Sequence, residues 1–244
     1  ITVVALTTIL FSTSIVNSAA TNASNRQLPI YRVDRKDNLA SISFDAAWGN
    51  EDTQQIIDIL AKYDVKATFF VVGEWVDKYP ESVLALHNAG HEIMNHSDTH
   101  PHMTQLSADD MIKQVEDCSS KIEKITGVKP NLFRPPYGDY NDTVVTTLRT
   151  MGYEVIQWSR DSLDWKSQGV DAMYRQVTEK IQNGDIVLFH NNSDDILQAL
   201  PLIVQKLEKD GYEIVPVSQL LLQGQTYVDH AGVMRAKEEN HAGN

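Results

Sequence analysis

Three histidines fall within seven residues, His96-Ser-Asp-Thr-His100-Pro-His102, in a chain with only 8 histidines among 244 residues. Imidazole serves as metal ligand, general base and general acid, so the clustering points to a site. His96 and His100 stand at i, i+4, which on one turn of helix places both rings on one side, at metal-ligand spacing. Two imidazoles alone do not complete a metal site. The other residues suited to chemistry are Asp45, Arg134, Asp161, Asp164 and His190, with Tyr137, Trp165 and Leu188 close to them in sequence. Each also has a plain reading. A strand-end Asp caps a helix, Asp161 suits a loop or cap, and Trp165 and Leu188 suit the core. His102 suits the turn after Pro101. His87 and His91 flank the helix stop Asn88-Ala-Gly90, where a cation complements the dipole, and are given no site role.

What unites the first group is position. Short apolar, β-branched or aromatic runs recur at 40–44, 67–72, 91–95, 131–134, 153–158, 185–189 and 212–217. They predict seven strands. Helical patterns lie between them. Met111, Val115, Cys118, Ile122 and Ile125 step by 4, 3, 4, 3 behind the capping box Ser107-Ala-Asp-Asp110, and Leu197, Leu200, Val204 and Leu207 form a second stripe. This βαβα alternation with continuously apolar strands predicts a parallel sheet covered by helices: an α/β fold, a distorted (β/α)7-type barrel one strand short of the usual eight. In such barrels, loops at the carboxyl ends of the strands share one rim, and that rim carries the site. Asp45, His96, Arg134, Asp161 and His190 each close or follow a run, so all five are expected there.

Composition narrows the class. With 42% hydrophobic and 22% charged residues the chain is that of a globular protein. Acidic residues outnumber basic ones 33 to 21, for a net charge of −12, and that field repels phosphate backbones, so no nucleic-acid partner is expected. A single cysteine, Cys118, rules out an intrachain disulfide or a thiolate cluster, which leaves histidine and carboxylate for any metal. Residues 1–25 carry no charge. ITVVALTTILF reads as the apolar core of an export signal, with Ser18-Ala19-Ala20 as a cleavage candidate, or as an uncleaved membrane anchor. The expected location is extracytoplasmic, secreted or anchored on the cell-wall side. Residues 223–244 are polar and aperiodic and predict a loosely ordered tail.

The same residues carry a family resemblance. Phe44-Asp45, His96-Ser-x-x-His100, Arg134-x-x-Tyr137, Asp161-x-x-Asp164-Trp165 and Leu188-x-His190 follow the order of the NodB-type polysaccharide deacetylases, carbohydrate esterase family 4, over roughly residues 38–222. The stretch FDAAWGNEDT resembles the sporulation-associated subgroup. The resemblance implies removal of N-acetyl groups from GlcNAc- or MurNAc-type polymers, most simply peptidoglycan, with one divalent metal, zinc or cobalt. It assigns His96 and His100 to the metal, Asp45 as base and His190 as acid. Asp164 then orients His190, Arg134 orients Asp45, Tyr137 offers its backbone N–H to the oxyanion, and Trp165 and Leu188 wall the acetyl pocket.

One position departs from that pattern. Where the family normally places a second Asp as third metal ligand, this chain has Ala46. Asp45, Asp98, Glu51 and Asp52 are the nearby carboxylates; Asp98 is expected to point away from the histidine face, and Glu51 and Asp52 to cap the next helix. Three functions follow: an active deacetylase, a non-catalytic glycan-binding protein on the same barrel, or an O-acetyl esterase acting on a polysaccharide.

Overall fold

The run Leu39–Ala46 is buried along its whole length, as a strand covered on both faces must be. It stands at the centre of the computed structural model, which describes residues 26–237; the expected export signal or anchor lies outside the described residues. In chain order the first elements are β1 (Arg32–Val33), β2 (Leu39–Ala46), α1 (Thr53–Lys62), β3 (Thr68–Val71), α2 (Gly73–Lys78), α3 (Pro80–Asn88) and β4 (Glu92–Asn95). Then come α4 (Ala108–Thr126), β5 (Leu132–Phe133), α5 (Asp142–Thr150), β6 (Glu154–Val155), β7 (Arg160–Asp161) and α6 (Val170–Thr178). The chain continues through β8 (Ile186–His190), α7 (Ile196–Lys209), β9 (Glu213–Ile214), α8 (Val217–Leu220), β10 (Thr226–Val228) and β11 (Val233–Ala236).

Seven parallel strands run in the order β6-β5-β4-β3-β2-β8-β7, with β9 pairing beside the start of β2. This is a half-barrel of the expected α/β class. All seven anticipated runs contain a strand. The additional one, β7, is two partly exposed charged residues, and no apolar run announces it. Pleating divides β2 into two rows. Ile42, Phe44 and Ala46 join the layer formed with Ile56, Leu60, Leu200 and Leu207 of the covering helices. Ser43 and Asp45 take the opposite face. In register, Asp45 lies beside Phe70 on one side and His190 on the other, so two functional candidates sit level on one rim.

Among the described residues β6 and β7 are not paired with each other. Residues 30–33 close the seam: Ile30 N–H donates to Val155 O and Gln157 N–H to Ile30 O, both at 2.8 Å, and Val33 N–H donates to Gly184 O at 3.0 Å. β1 then pairs with β11, and β11 with β10, in a small second sheet. The segment after 223 is therefore not a loose tail over these residues. Asp229 accepts from the N–H groups of Ala231 and Val233, Gly232 takes φ 77°, and the resulting hairpin buries Val233 and Met234. Gly232 is required there for a second reason: a Cβ would stand 2.4 Å from the Tyr31 ring.

Helix α4 follows its stripe. Met111, Val115, Cys118 and Ile122 are buried, the Ser107 hydroxyl accepts from Asp110 N–H, and Gly127 at φ 72° ends the helix. In α1, Asp52 occupies the N-cap position without making a side-chain cap bond, and Glu51 accepts from Asn50 N–H instead.

Candidate active site

At the carboxyl ends of the central strands a cavity of about 530 Å³ is lined by Asp45, Ala47, Trp48, His96, His100, Tyr137, Trp158, Asp161, Trp165, Leu188 and His190. Eight of the residues singled out from the sequence as candidates for the site line it; Arg134 and Asp164 lie directly behind. Three other hollows on the molecule are lined by none of Asp45, His96, His100 or His190.

The Arg134 side chain is completely buried and points at the carboxylate of β2. Its Nη1 donates to Asp45 Oδ1 at 2.7 Å, and Nη2 donates to Ser43 Oγ at 2.8 Å. The guanidinium lies 4.1 Å from the centre of the Phe70 ring. Burial pushes the Asp45 carboxyl up, but Arg134, helped by His96 and His190, outweighs it and holds Asp45 below the ordinary carboxylate range. Asp45 is thus ionised.

Across the cavity, His190 Nδ1 lies 2.7 Å from Asp164 Oδ1, and Asp164 Oδ2 accepts from the His190 backbone N–H at 2.6 Å. Burial pulls the imidazole down, yet the Asp164 hydrogen bond and the charges of Asp164, Asp45 and Asp161 raise it above its ordinary value. The two sides of the cavity are therefore tuned in opposite senses, the carboxylate pKa lowered and the imidazole pKa raised, each toward its charged form.

The histidine pair is built differently from the helical turn that its spacing predicts. Residues 96–100 form a loop in which Ser97 (φ 69°) and His100 (φ 59°) are left-handed. Asn95 Oδ1 accepts from Ser97 N–H and Ser97 Oγ from His100 N–H, turning the chain back so that the rings still meet, with centroids 4.9 Å apart. His96 Nδ1 lies 2.6 Å from the Arg134 carbonyl, which makes it the protonated nitrogen and leaves Nε2 as a lone-pair donor. That Nε2 is 3.5 Å from Asp45 Oδ2. His100 Nδ1 is buried without a hydrogen-bond partner. Burial, then the neighbouring His96, holds His100 down to about 4, and burial also lowers His96, so both are neutral near pH 7, the form that ligates metal.

These imidazoles fit a divalent cation as a two-histidine seat. Among the described residues no three ligating side chains converge. Among the described residues Asp45 is the one carboxylate within ion-pair distance of either ring. Ala46 supplies nothing: its side chain is fully buried in the layer beneath the helices. Asp98 points away, to Lys121 at 2.6 Å.

Around the mouth, Trp48 (56% exposed), Tyr137 (59%) and Trp165 (61%) present aromatic faces to solvent, so Trp165 is not a core residue, whereas Leu188 is buried at the cavity floor. Tyr137 stacks on His102 at 4.3 Å, and His102 itself does not line the cavity. Asp161 both accepts from Leu163 N–H and lines the cavity. His91 is buried away from the cavity, where its Nδ1 accepts from Ala67 N–H. Sequence reasoning gave no role to Trp48 and Trp158. The signal for both was an aromatic residue just beyond a strand end. A smaller hollow of about 290 Å³ adjoins the first and shares Trp48, Trp165 and His190 with it.

The fold and this rim define a parallel α/β half-barrel with a histidine- and carboxylate-lined cavity at the carboxyl ends of its strands. The family model for polysaccharide deacetylase matches residues 32–156, and the chain belongs to that family. Peptidoglycan-N-acetylmuramic acid deacetylase PdaC from Bacillus subtilis is 37% identical over 188 residues, 77% of this chain but only 40% of PdaC. A peptidoglycan-N-acetylglucosamine deacetylase from Bacillus cereus is 35% identical over 196 residues, covering 78% of this chain and 92% of the relative. Among solved structures, a Bacillus anthracis protein described as a CE4 family pseudoenzyme is 36% identical with a TM-score of 0.77, over 80% of this chain and 69% of that one. A mutant of that protein described as having restored enzymatic activity matches with the same TM-score of 0.77.

Proposed function

We propose that this protein is a hydrolase that removes N-acetyl groups from peptidoglycan amino sugars outside the cytoplasm. The observation that carries the reading is the opposed pair: Asp45 and His190 face one cavity from adjacent strands, each fixed by its own buried partner. A surface that only binds glycan has no use for a carboxylate and an imidazole aimed at the same space, each held by a buried partner that favours its charged form.

Amide hydrolysis needs a water deprotonated, the carbonyl oxygen stabilised and the amine protonated as it leaves. Asp45 Oδ2, the oxygen not bound by Arg134, takes the proton from water. His190 delivers a proton to the departing nitrogen, and Asp164 keeps it charged and aimed. The Tyr137 backbone N–H faces the developing oxyanion, and Leu188 and Trp165 confine the acetyl methyl. His96 and His100 would hold a divalent cation, zinc or cobalt by the preference of imidazole for borderline metals. When bound, it supplies a Lewis acid for the carbonyl oxygen and acidifies water.

A second reading has its own observation. Ala46 leaves the cation seat with two histidines, and catalytic zinc sites commonly have three protein ligands. The likeness to a CE4 pseudoenzyme is consistent with a barrel that binds glycan without turnover. Acetate release from peptidoglycan, measured beside metal content and glycan pull-down, separates the two. Release that is abolished by a chelator and restored by zinc supports the hydrolase. Retention of glycan without acetate release overturns it. Release from O-acetylated but not N-acetylated glycan would make the protein an esterase.

A further inference from the structure

The loop that carries both histidines holds two non-glycine residues in the left-handed region, Ser97 and His100. Such residues are strained and persist only where the surroundings over-determine them. The surroundings here are one face of α4. Gln114 Oε1 accepts from the backbone N–H groups of both Asp98 and Thr99, each at 2.9 Å, and Gln114 Nε2 donates to Thr99 Oγ1 at 2.9 Å. Two turns on, Lys121 Nζ binds Asp98 Oδ1 at 2.6 Å and Asp77 Oδ2 at 2.8 Å. Between them, Asn95, at the foot of the loop, donates to Val115 O at 2.8 Å and Ser119 Oγ at 2.7 Å. From the other side, the start of α2 closes the clamp. Gly73 N–H donates to Ser97 O and Glu74 N–H to Asp98 O, and a Cβ on Gly73 would fall 1.9 Å from Asp98 Oδ1.

Within this set Gln114 is placed to decide the shape of the loop. It alone takes up two consecutive loop N–H groups, and these lie between the two strained residues. We propose that Gln114 is a positioning residue for the cation seat: its side-chain amide, from α4, fixes the Ser97–His100 turn that sets the His100 ring against His96. The inference rests on reading the two imidazoles as a cation seat. The clamp acts on backbone geometry, so it touches neither the cation nor the substrate.

The test uses the full chain, zinc titration calorimetry, and amide hydrogen exchange at residues 97–100 without metal. Gln114→Leu keeps helix propensity and bulk but loses the acceptor. Gln114→Glu keeps the acceptor oxygen. Outer groups that orient a ligand commonly account for about 10- to 100-fold in metal affinity. The expected result is zinc binding weakened by that factor in Gln114→Leu and recovered to within a few-fold in Gln114→Glu. The Asp98 and Thr99 amides should exchange faster in Gln114→Leu, with unchanged protection in β2 and β3. Wild-type affinity together with unchanged exchange in Gln114→Leu overturns the proposal. Equal weakening in both variants also overturns it, since the acceptor would then not matter. If the wild type itself fails to bind zinc, the cation reading falls. Exchange at Asp98 and Thr99, with the His100 ring proton shifts, then decides whether Gln114 sets the loop.

Discussion

Asp164 grips His190 twice, one oxygen at the ring Nδ1 and the other at the backbone N–H of the same residue. Ring orientation and main-chain position are therefore set by a single buried carboxylate. Asp164→Asn removes the charge that lifts the His190 pKa above its ordinary value. The acid form of His190 then titrates away at lower pH, and the alkaline limb of kcat/KM moves toward acid. A pH profile of acetate release checks this; a limb that stays in place would remove His190 from the role of acid.

His190→Ala should lower acetate release by about 10²- to 10⁴-fold, the usual contribution of a general acid. Zinc content by elemental analysis should not change, because the ring is held by Asp164 rather than by the cation seat. Loss of zinc together with activity would place His190 among the ligands.

Arg134→Met tests the buried pair from the stability side. Breaking such a pair by removing one partner costs about 3–5 kcal/mol, because the remaining charge is left uncompensated. The sign with pH is fixed by the lowered Asp45 pKa. Its contribution is fully present above the unfolded carboxylate value of about 3.9, and is lost as pH falls through the lower folded value. Urea unfolding should therefore show the largest difference from wild type near neutral pH and a smaller one in acid.

Ala46→Asp introduces a carboxylate at a fully buried strand-end position next to Asp45. Without metal that charge is uncompensated, so the variant should melt below wild type in the presence of a chelator. Zinc should raise its melting temperature far more than that of the wild type, since a ligand stabilises in proportion to its affinity for the folded state. The new side chain starts on the helix-facing side of β2, so the expected gain, at least about 10-fold tighter zinc binding by calorimetry, requires that the strand end turn it toward His96. Equal zinc responses in the two proteins would mean that the new carboxylate does not reach the cation.

The strand runs were legible because β2, β3, β4 and β8 are buried along nearly their whole length and so are dominated by apolar residues in sequence. β7 was not, since Arg160 and Asp161 pair at an edge and carry no apolar signal. The hairpin at Thr226–Ala236 was hidden by its polar composition, although Asp229 and Gly232 are the turn residues it needs. At the rim, residues at strand ends could be named one by one, because the barrel topology alone sends them to one face. The turn at His96–His100 could not. Its spacing suits a helix, and what makes it a loop is a glutamine on a helix that starts eight residues later. Nor does hydrophobic periodicity say which tryptophans are exposed. Trp75, on the buried face of α2, is sealed from solvent, while Trp48 and Trp165 stand in it.

That distribution of indoles has a spectroscopic consequence. Of the 4 tryptophans in the chain, Trp48, Trp158 and Trp165 line the cleft, and the fourth, Trp75, is sealed in the interior. Emission from the two exposed rings is red-shifted by water and quenched by collision, and both effects diminish when a sugar covers them. The protein thus carries an intrinsic optical gauge of cleft occupancy, with Trp75 as its unchanging baseline. Acrylamide quenching alone can follow glycan binding without a label, whether or not an acetyl group is ever removed.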